Sequence, residues 1–417
     1  MNEMVQLAHR VLPGGHFGNM ASDIALVRGE GGHVWDSEGR EYIDYLLGSG
    51  PMFIGHAHPE VTAAVLEQIP RGTTFFANNP AGIELAAAIV DAMPCADQVR
   101  FLASGTEADM YAMRVVRAFR GREKILKFEG GYHGMSDHAL MSLAPKRPGN
   151  FPHPIPDSAG IPTRVQDEVL VAPFNDADAA VALIEAHQDE LAGVILEPFQ
   201  RLIPPVPGFL QAIREVTARL DIPLIFDEVV CGFRFGYSGA QGYYGVTPDL
   251  CTLGKIIGGG FPLAALCGRA DIMAHFDRAK VGEEGFLMQV GTLSGNPVAA
   301  VAGLATLAVL RRPGAYDDVF ARGRRMMAGL TEALRRRGVA GQVVGEPVLF
   351  DVVYAAGEIR SHRDTLRADG AVQAAVNRHL RAGGIMKGDS KYYLSTAHSD
   401  ADVDRTLSLF DEALGAL

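Results

Sequence analysis

Cysteine is scarce and scattered: the chain of 417 residues has only Cys95, Cys231, Cys251 and Cys267. They form no C-x-x-C pair and no zinc-ligand spacing, which excludes a disulfide framework or structural metal and predicts a reducing, cytoplasmic setting. Long hydrophobic runs are also missing. No stretch of about 18 uninterrupted apolar residues occurs, and the opening MNEMVQLAHRVLPGG carries no apolar core of signal-peptide length. The expectation is a soluble, unexported protein. Positive charge is in deficit, with 38 Lys and Arg against 49 Asp and Glu for a net charge of −11. With no dense basic run to offset it, that balance argues against nucleic acid or an anionic membrane as the main partner. Internal repeats and low-complexity tracts are absent.

What remains is ordinary globular material, 48% hydrophobic and 21% charged, too long for one small core and suited to a large domain with a smaller one. Residues 1–50 read as an N-terminal arm or subdomain, with strand-like pieces at 33–35 and 42–47 around the turn Ser37-Glu38-Gly39. From about residue 80, helix-length amphipathic segments such as 83–93 and 107–119 alternate with short apolar runs rich in β-branched residues. That alternation predicts an α/β fold with a parallel sheet, assigned to a large domain over 51–294. Beyond residue 295 a long apolar helix leads to strand-like 348–354 and 392–395 and to helices near 371–382 and 401–414, read as a small C-terminal α+β domain over 295–417.

Several apolar runs end in polar or glycine-rich punctuation: VRFLASGTE, KILKFEGGYHG, LAGVILEP, IPLIFDE and DLCTLGK. Ligands of open α/β sheets gather beyond the carboxyl ends of strands, so Ser104, Tyr132, Glu197, Asp227 and Lys255 are candidates for one cleft. SGTEA follows a strand and opens a helix, whose unpaired N–H groups and dipole suit a phosphate; plain N-capping by Ser104 or Thr106 explains the same residues. Asp227 ends the buried run 222–226 and needs a cationic partner, for which Arg234 is the bland choice. Lys255, 28 residues later, lies between LCTL and IIGGG, where desolvation favours the neutral amine that attacks carbonyls. An anion-binding helix start, a buried acid and a desolvated lysine together meet the needs of pyridoxal 5'-phosphate, which has a phosphate, a ring nitrogen and an aldehyde. His56 and His58 read as turn and packing residues ahead of a helix starting at Pro59-Glu60, and Ser399 with Asp402 reads as a helix cap.

The run FDEVVCGFRFGYSGAQGYYGVTPDLCTLGKIIGGGFPLAALCGRADIM, with SGTEA at 104–108, GGYHG at 130–134 and GTLSGNP at 291–297, resembles the class III aminotransferases. Within them the resemblance is greatest to the glutamate-1-semialdehyde aminomutase branch, and it extends over nearly the whole chain. It implies the fold-type-I architecture of PLP-dependent transferases, a large mostly parallel domain with a small C-terminal domain. It implies Lys255 as the Schiff-base lysine, Asp227 as partner of the pyridine nitrogen, and Gly105 and Thr106 with the adjoining Ser104 at the phosphate. Tyr132 would lie on the ring face with His133 beside it, Val229 against the other face, and Glu197 at the same strand-end edge. Thr292 would reach the phosphate of the neighbouring subunit in a homodimer with shared active sites.

The departures lie on the substrate side. Where the aminomutase branch carries an arginine soon after LPGG, this chain reads HFGNMASD, and where many relatives place a switchable Glu it has Leu202. Two cations lie where the chain departs, Arg201 and Lys391, and Arg201 is the first choice for a substrate carboxylate because its guanidinium makes a planar two-point fit. The expected activity is amino transfer between a small amino acid or amine and a 2-oxo acid or aldehyde, in ping-pong fashion. Glutamate-1-semialdehyde 2,1-aminomutase or amino-acid racemase activity on the same scaffold is the alternative. A nucleotide-binding oxidoreductase is disfavoured by the absence of G-x-G-x-x-G opening a βα unit, and a non-catalytic binding protein would not require Lys255.

Overall fold

A computed structural model describes residues 3–20 and 23–417. In chain order the strands are β1 (Leu26–Glu30), β2 (His33–Asp36), β3 (Glu41–Asp44), β4 (Gln98–Leu102), β5 (Lys124–Phe128), β6 (Val169–Ala172), β7 (Leu191–Leu196), β8 (Leu224–Asp227), β9 (Leu250–Leu253), β10 (Ala264–Gly268), β11 (Gln342–Glu346), β12 (Leu349–Val353), β13 (Ile385–Met386) and β14 (Tyr392–Tyr393). The chain forms two compact units, one of residues 60–315 with 357–368, the other of 1–59, 316–356 and 369–417. The apolar helix Pro297–Leu310 belongs to the larger unit, and residues 1–59 belong with the C-terminal segments, whereas the sequence places boundaries at 50/51 and 294/295.

The larger unit is built on a seven-stranded sheet in the order β4-β10-β9-β8-β7-β5-β6. β5, β6, β7, β8 and β9 pair in parallel, while β10 runs antiparallel to both its neighbours. Near-continuous apolar runs such as LAGVIL and LIFD are buried along their whole length, the signature of strands covered on both faces. The Gly105–Arg120 helix lays Ala108, Ala112, Met113 and Val116 on the sheet residues Ile125, Ile195, Ile225 and Leu250 in one core. Parallel order puts the carboxyl ends of β5, β7, β8 and β9 on one edge, which sets the place of the site.

In the smaller unit, β1, β2 and β3 form an antiparallel meander extended by parallel β13, and β11, β12 and β14 form an antiparallel sheet. Val34, Tyr42 and Met386 form a core cluster of the first sheet. Ser399 and Asp402 make the reciprocal capping box that opens the Asp400–Gly415 helix. Among the described residues, no helix is long and apolar enough to cross a membrane.

Candidate active site

Asp227 is the last residue of β8 and is buried. Its Oδ1 accepts from the Val229 N–H at 3.0 Å, and its Oδ2 lies 2.9 Å from His133 Nδ1. A carboxylate beside that nitrogen selects the tautomer in which Nδ1–H donates. The partner of Asp227 is therefore His133, while Arg234 gives its Nε–H to the Val230 carbonyl at 3.0 Å. Among the described residues, neither the other ring nitrogen, His133 Nε2, nor Gln200 Oε1 has a hydrogen-bond partner, and both are buried.

Lys255 follows β9 by two residues and opens a 3-10 turn, Lys255–Gly258, half-buried and with φ of 48°. A left-handed lysine is held there only by its surroundings, a form of strain that collects at functional sites. The support is the Pro297–Leu310 helix. A Cβ on Gly303 would overlap the Ile257 carbonyl oxygen, and one on Gly259 (φ 56°) would come 2.6 Å from the Ala302 carbonyl oxygen. Only glycine permits so close an approach of helix and turn.

The Gly105–Arg120 helix begins with a complete capping box. Ser104 Oγ accepts from the Glu107 N–H at 3.3 Å, and Glu107 Oε2 accepts from the N–H groups of Ser104 and Ala103 at 2.9 and 3.0 Å. Ser104 thus serves as the N-cap, leaving the first-turn N–H groups of Gly105 and Thr106 without intrahelical acceptors. Val229 packs over this start: its Cγ1 lies 3.0 Å from where a Gly105 Cβ would stand and 3.1 Å from that of Gly254. The glycines make room for the valine, and the three backbones converge on one spot.

The loop after β5 brings in Tyr132 and His133. Its anchor, which sequence reasoning missed, is Lys127, buried in β5 with Nζ donating to the carbonyls of Gly131, Ala139 and Met141 at 3.1, 2.9 and 2.6 Å. Burial pushes this ammonium down to about 7. A Cβ on Gly134 (φ 83°) would meet the Thr106 Cα at 2.6 Å, and the Met135 N–H donates to Thr106 Oγ1 at 3.2 Å, so the loop is pressed onto the helix start. The Tyr132 N–H donates to Glu197 Oε2 at 2.9 Å, just beyond β7. Arg201, left-handed at φ 60° and exposed, holds its guanidinium carbon 5.3 Å from the centre of the Tyr132 ring. Burial raises the Tyr132 hydroxyl above its ordinary value, and Arg201 opposes that rise.

Asp109 was also missed. It is buried, accepts from Thr252 Oγ1 at 2.6 Å, and sits above the usual carboxylate range, pushed there by burial and then by the charge of Asp227. Its signal in the sequence was an acid on the apolar face of an amphipathic helix.

Ser104, Gly105, Thr106, Tyr132, His133, Glu197, Asp227, Val229 and Lys255 therefore meet at the carboxyl edge of one sheet. Arg201 joins them through Tyr132. Thr292 lies exposed on the loop before the Pro297–Leu310 helix, its carbonyl accepting from Thr74 Oγ1 at 3.4 Å. Lys391 belongs to the smaller unit, with Nζ 5.7 Å from the Tyr393 ring. A helix start for an anion, a buried carboxylate with a histidine behind it, a lysine on a rigid turn and a valine between two glycines suit a phosphate, a ring nitrogen, an aldehyde and a flat ring face.

Comparison with known proteins agrees with that chemistry. The family model "Aminotransferase class-III" matches residues 17–378. Over 100% of this chain and 99% of the relative, the sequence is 40% identical to a glutamate-1-semialdehyde 2,1-aminomutase of Methanothermobacter thermautotrophicus. An omega-transaminase structure from Sphaerobacter thermophilus matches with a TM-score of 0.94 and 38% identity, covering 99% of this chain and 96% of that one. A transaminase solved with PLP bound matches with a TM-score of 0.90 and 31% identity, covering 99% and 96%. With its sheet, its strand-end cluster and a match across most of its length, the chain belongs to the class III aminotransferases, PLP-dependent enzymes of fold type I.

Proposed function

We propose that the protein transfers an amino group between a small amino acid or amine and a 2-oxo acid or aldehyde, in two half-reactions at the cluster around Lys255. Bound pyridoxal 5'-phosphate supplies an aldehyde for the substrate amine and a ring that takes up the electron pair left by deprotonation. Gly105 and Thr106 N–H groups bind its phosphate, and the helix dipole favours that charge. Asp227 keeps a proton at the ring nitrogen, and His133 orients Asp227 through Nδ1–H. Tyr132 and Val229 hold the ring between an aromatic and a branched aliphatic face. Lys255 would anchor the cofactor, and its ε-amine would take up the proton leaving the substrate carbon. Glu197 braces Tyr132 through its backbone N–H.

The observation that carries the choice of substrate is the Arg201 guanidinium over the Tyr132 ring, in a chain with no arginine in the HFGNMASD stretch after LPGG. Arg201 is the group proposed to hold a substrate carboxylate, and Lys391 is the weaker candidate. Arg201→Ala is expected to raise KM for amino acids and leave simple amines little changed, with Lys391→Ala doing less. Equal loss for acids and amines, or none, removes Arg201 from the role.

The 40% identity to an aminomutase favours a second reading, intramolecular amino transfer; racemisation would use the same residues. A spectral half-reaction screen over amines and amino acids separates the readings when run beside glutamate-1-semialdehyde without any acceptor. Fast conversion to 5-aminolevulinate would favour the aminomutase.

The working form is proposed to be a homodimer. Phe76, Met288 and Val290 are 69%, 71% and 62% exposed, on the segments that meet at Thr74 and Thr292, and so much apolar surface calls for a partner. Thr292 is the residue proposed to act at the partner's phosphate. A mixed dimer of Lys255→Ala and Thr292→Ala chains then gathers both defects in one site and spares the other. Loss of both sites would return Thr292 to its own chain.

A further inference from the structure

Asp109 has no role in the scheme above, yet its placement is costly. It is 2% exposed on the face of the Gly105–Arg120 helix that carries Ala108, Ala112, Met113 and Val116 into the core. A lone carboxylate there is strongly disfavoured, and the charges that bear on it are those of other acids. The groups that bear on it are Thr252 from β9, which donates to it, and the charges of Asp227 from β8, Glu197 beyond β7 and Tyr132 from the loop after β5. Three of these four are acids or a phenol, and behind Asp227 stands His133.

Thr252 lies opposite Asp227 in the β8–β9 ladder. Its single hydroxyl proton goes to Asp109 Oδ1 at 2.6 Å, while the same oxygen lies 3.5 Å from Asp227 Oδ1. The Thr252 hydroxyl thus lies between the two carboxyls and holds them side by side, and the charge of Asp227 raises Asp109 further. Two carboxyls at that range do not both ionise. Asp227 already accepts from Val229 N–H and faces His133 Nδ1, so the negative charge is best placed on Asp227 and the proton on Asp109. With Oδ1 accepting from Thr252, Oδ2–H is left to donate.

We propose that Asp109 is a positioning residue that acts through Asp227: its neutral carboxyl donates a hydrogen bond that holds Asp227 in one orientation and limits the pair to one negative charge. The inference rests on the reading of Asp227 as partner of the ring nitrogen. It gives one helix two tasks, since Asp109 follows Thr106 by three residues, a rise of about 4.5 Å. The first turn binds the phosphate and the next turn sets the acid at the other end of the ring.

The test uses the dimeric protein with Asp109→Asn, Asp109→Ala and Asp227→Asn. The readouts are the PLP dissociation constant, the pH midpoint of the bound cofactor's absorption band, and the apoenzyme's Tm against pH. Asparagine keeps an acceptor for Thr252 and a donor for Asp227 without a titrating proton. Asp109→Asn should hold the dissociation constant within about twofold and leave the midpoint in place. Its apoenzyme should melt above wild type at pH 8, with the gap closing toward pH 5. The sign follows because a carboxyl raised above its unfolded value contributes stability that is lost as pH rises toward the folded value.

Asp109→Ala should weaken PLP by about tenfold, the loss of one hydrogen bond to a charged group, and shift the midpoint. If Ala leaves both quantities at wild type, or if Asn matches Ala, the proposal is overturned. Should Ala not fold, the Asn apoenzyme decides: a melting curve that follows wild type at every pH overturns it. If Asp227→Asn leaves PLP binding and the midpoint unchanged, the reading of Asp227 fails and takes this one with it. A strong Asp227→Asn effect beside a silent Asp109→Ala sinks only the present inference.

Discussion

Gly303→Ala is a substitution for which two physical arguments disagree. Gly303 lies inside the Pro297–Leu310 helix, where alanine is favoured over glycine by about 1 kcal/mol. The new Cβ, however, would overlap the Ile257 carbonyl oxygen and stand 3.0 Å from Leu85 Cδ2 and 3.3 Å from the Ile257 carbonyl carbon. Carbon–oxygen contacts settle at about 3.3 Å or more, so the Ile257 carbonyl or the helix must retreat by on the order of 1 Å. Overpacking of this kind costs ~1–3 kcal/mol, and the helix gain of about 1 kcal/mol leaves a net loss of roughly 0–2 kcal/mol. In a chain of this size that is a Tm decrease of a few degrees at most, since 1 kcal/mol moves Tm by ~2–4 °C in domains of 150–250 residues. Ile257 sits in the same turn as Lys255, and a misplacement of ~1 Å at a reacting group costs about 10²-fold. The expected result is a kcat/KM about 100-fold lower with Tm changed by under ~5 °C. Steady-state kinetics and calorimetry of the same preparation measure both. Full activity with a raised Tm, as helix propensity alone predicts, would refute the claim that the Gly303 contact positions Lys255.

Two further expectations concern buried acids. Asp227→Asn should keep the fold and slow proton abstraction by ~10²-fold or more in single-turnover experiments, because a preorganised charge in such a site contributes roughly 2.7–4 kcal/mol; a near-normal rate removes its assigned role. Burial raises Glu228 to about 7 despite the N–H groups of Ala240 and Gln241 that donate to it. The apoenzyme should therefore lose stability as pH rises from about 4.5 to 7, on the order of 3 kcal/mol. Glu228→Gln should flatten that part of the Tm profile, and an unchanged slope would show that Glu228 does not titrate there.

The strand-end residues were legible because each stands where an apolar run stops. Asp227 after LIF and Glu197 after VIL needed only the parallel order of their strands to share one edge. Helix limits came close, with Pro80–Ala92 against the expected 83–93 and Gly370–Ala382 against 371–382. The Ser399 cap was readable from its spacing to Asp402, which local chemistry alone decides. Lys127 and Asp109 were hidden because a charge in a strand or helix reads as solvated surface until the fold covers it. Lys127 is covered by a loop reaching to Met141, and Asp109 by β8 and β9, both far along the chain. The pairing of Gly259 and Gly303 with the Lys255 turn was likewise unreadable, since close backbone approach leaves no trace beyond the glycine itself. The helix Pro297–Leu310 is apolar all round, and its composition did not reveal that it packs in the larger unit.

Borohydride reduction of the PLP-loaded protein followed by peptide mapping shows whether Lys255 holds the cofactor. One pyridoxyl group per chain is expected, on Lys255, with Lys255→Ala binding PLP but taking no label at that position. A label on Lys127, Lys391 or any other lysine of the native protein would contradict it.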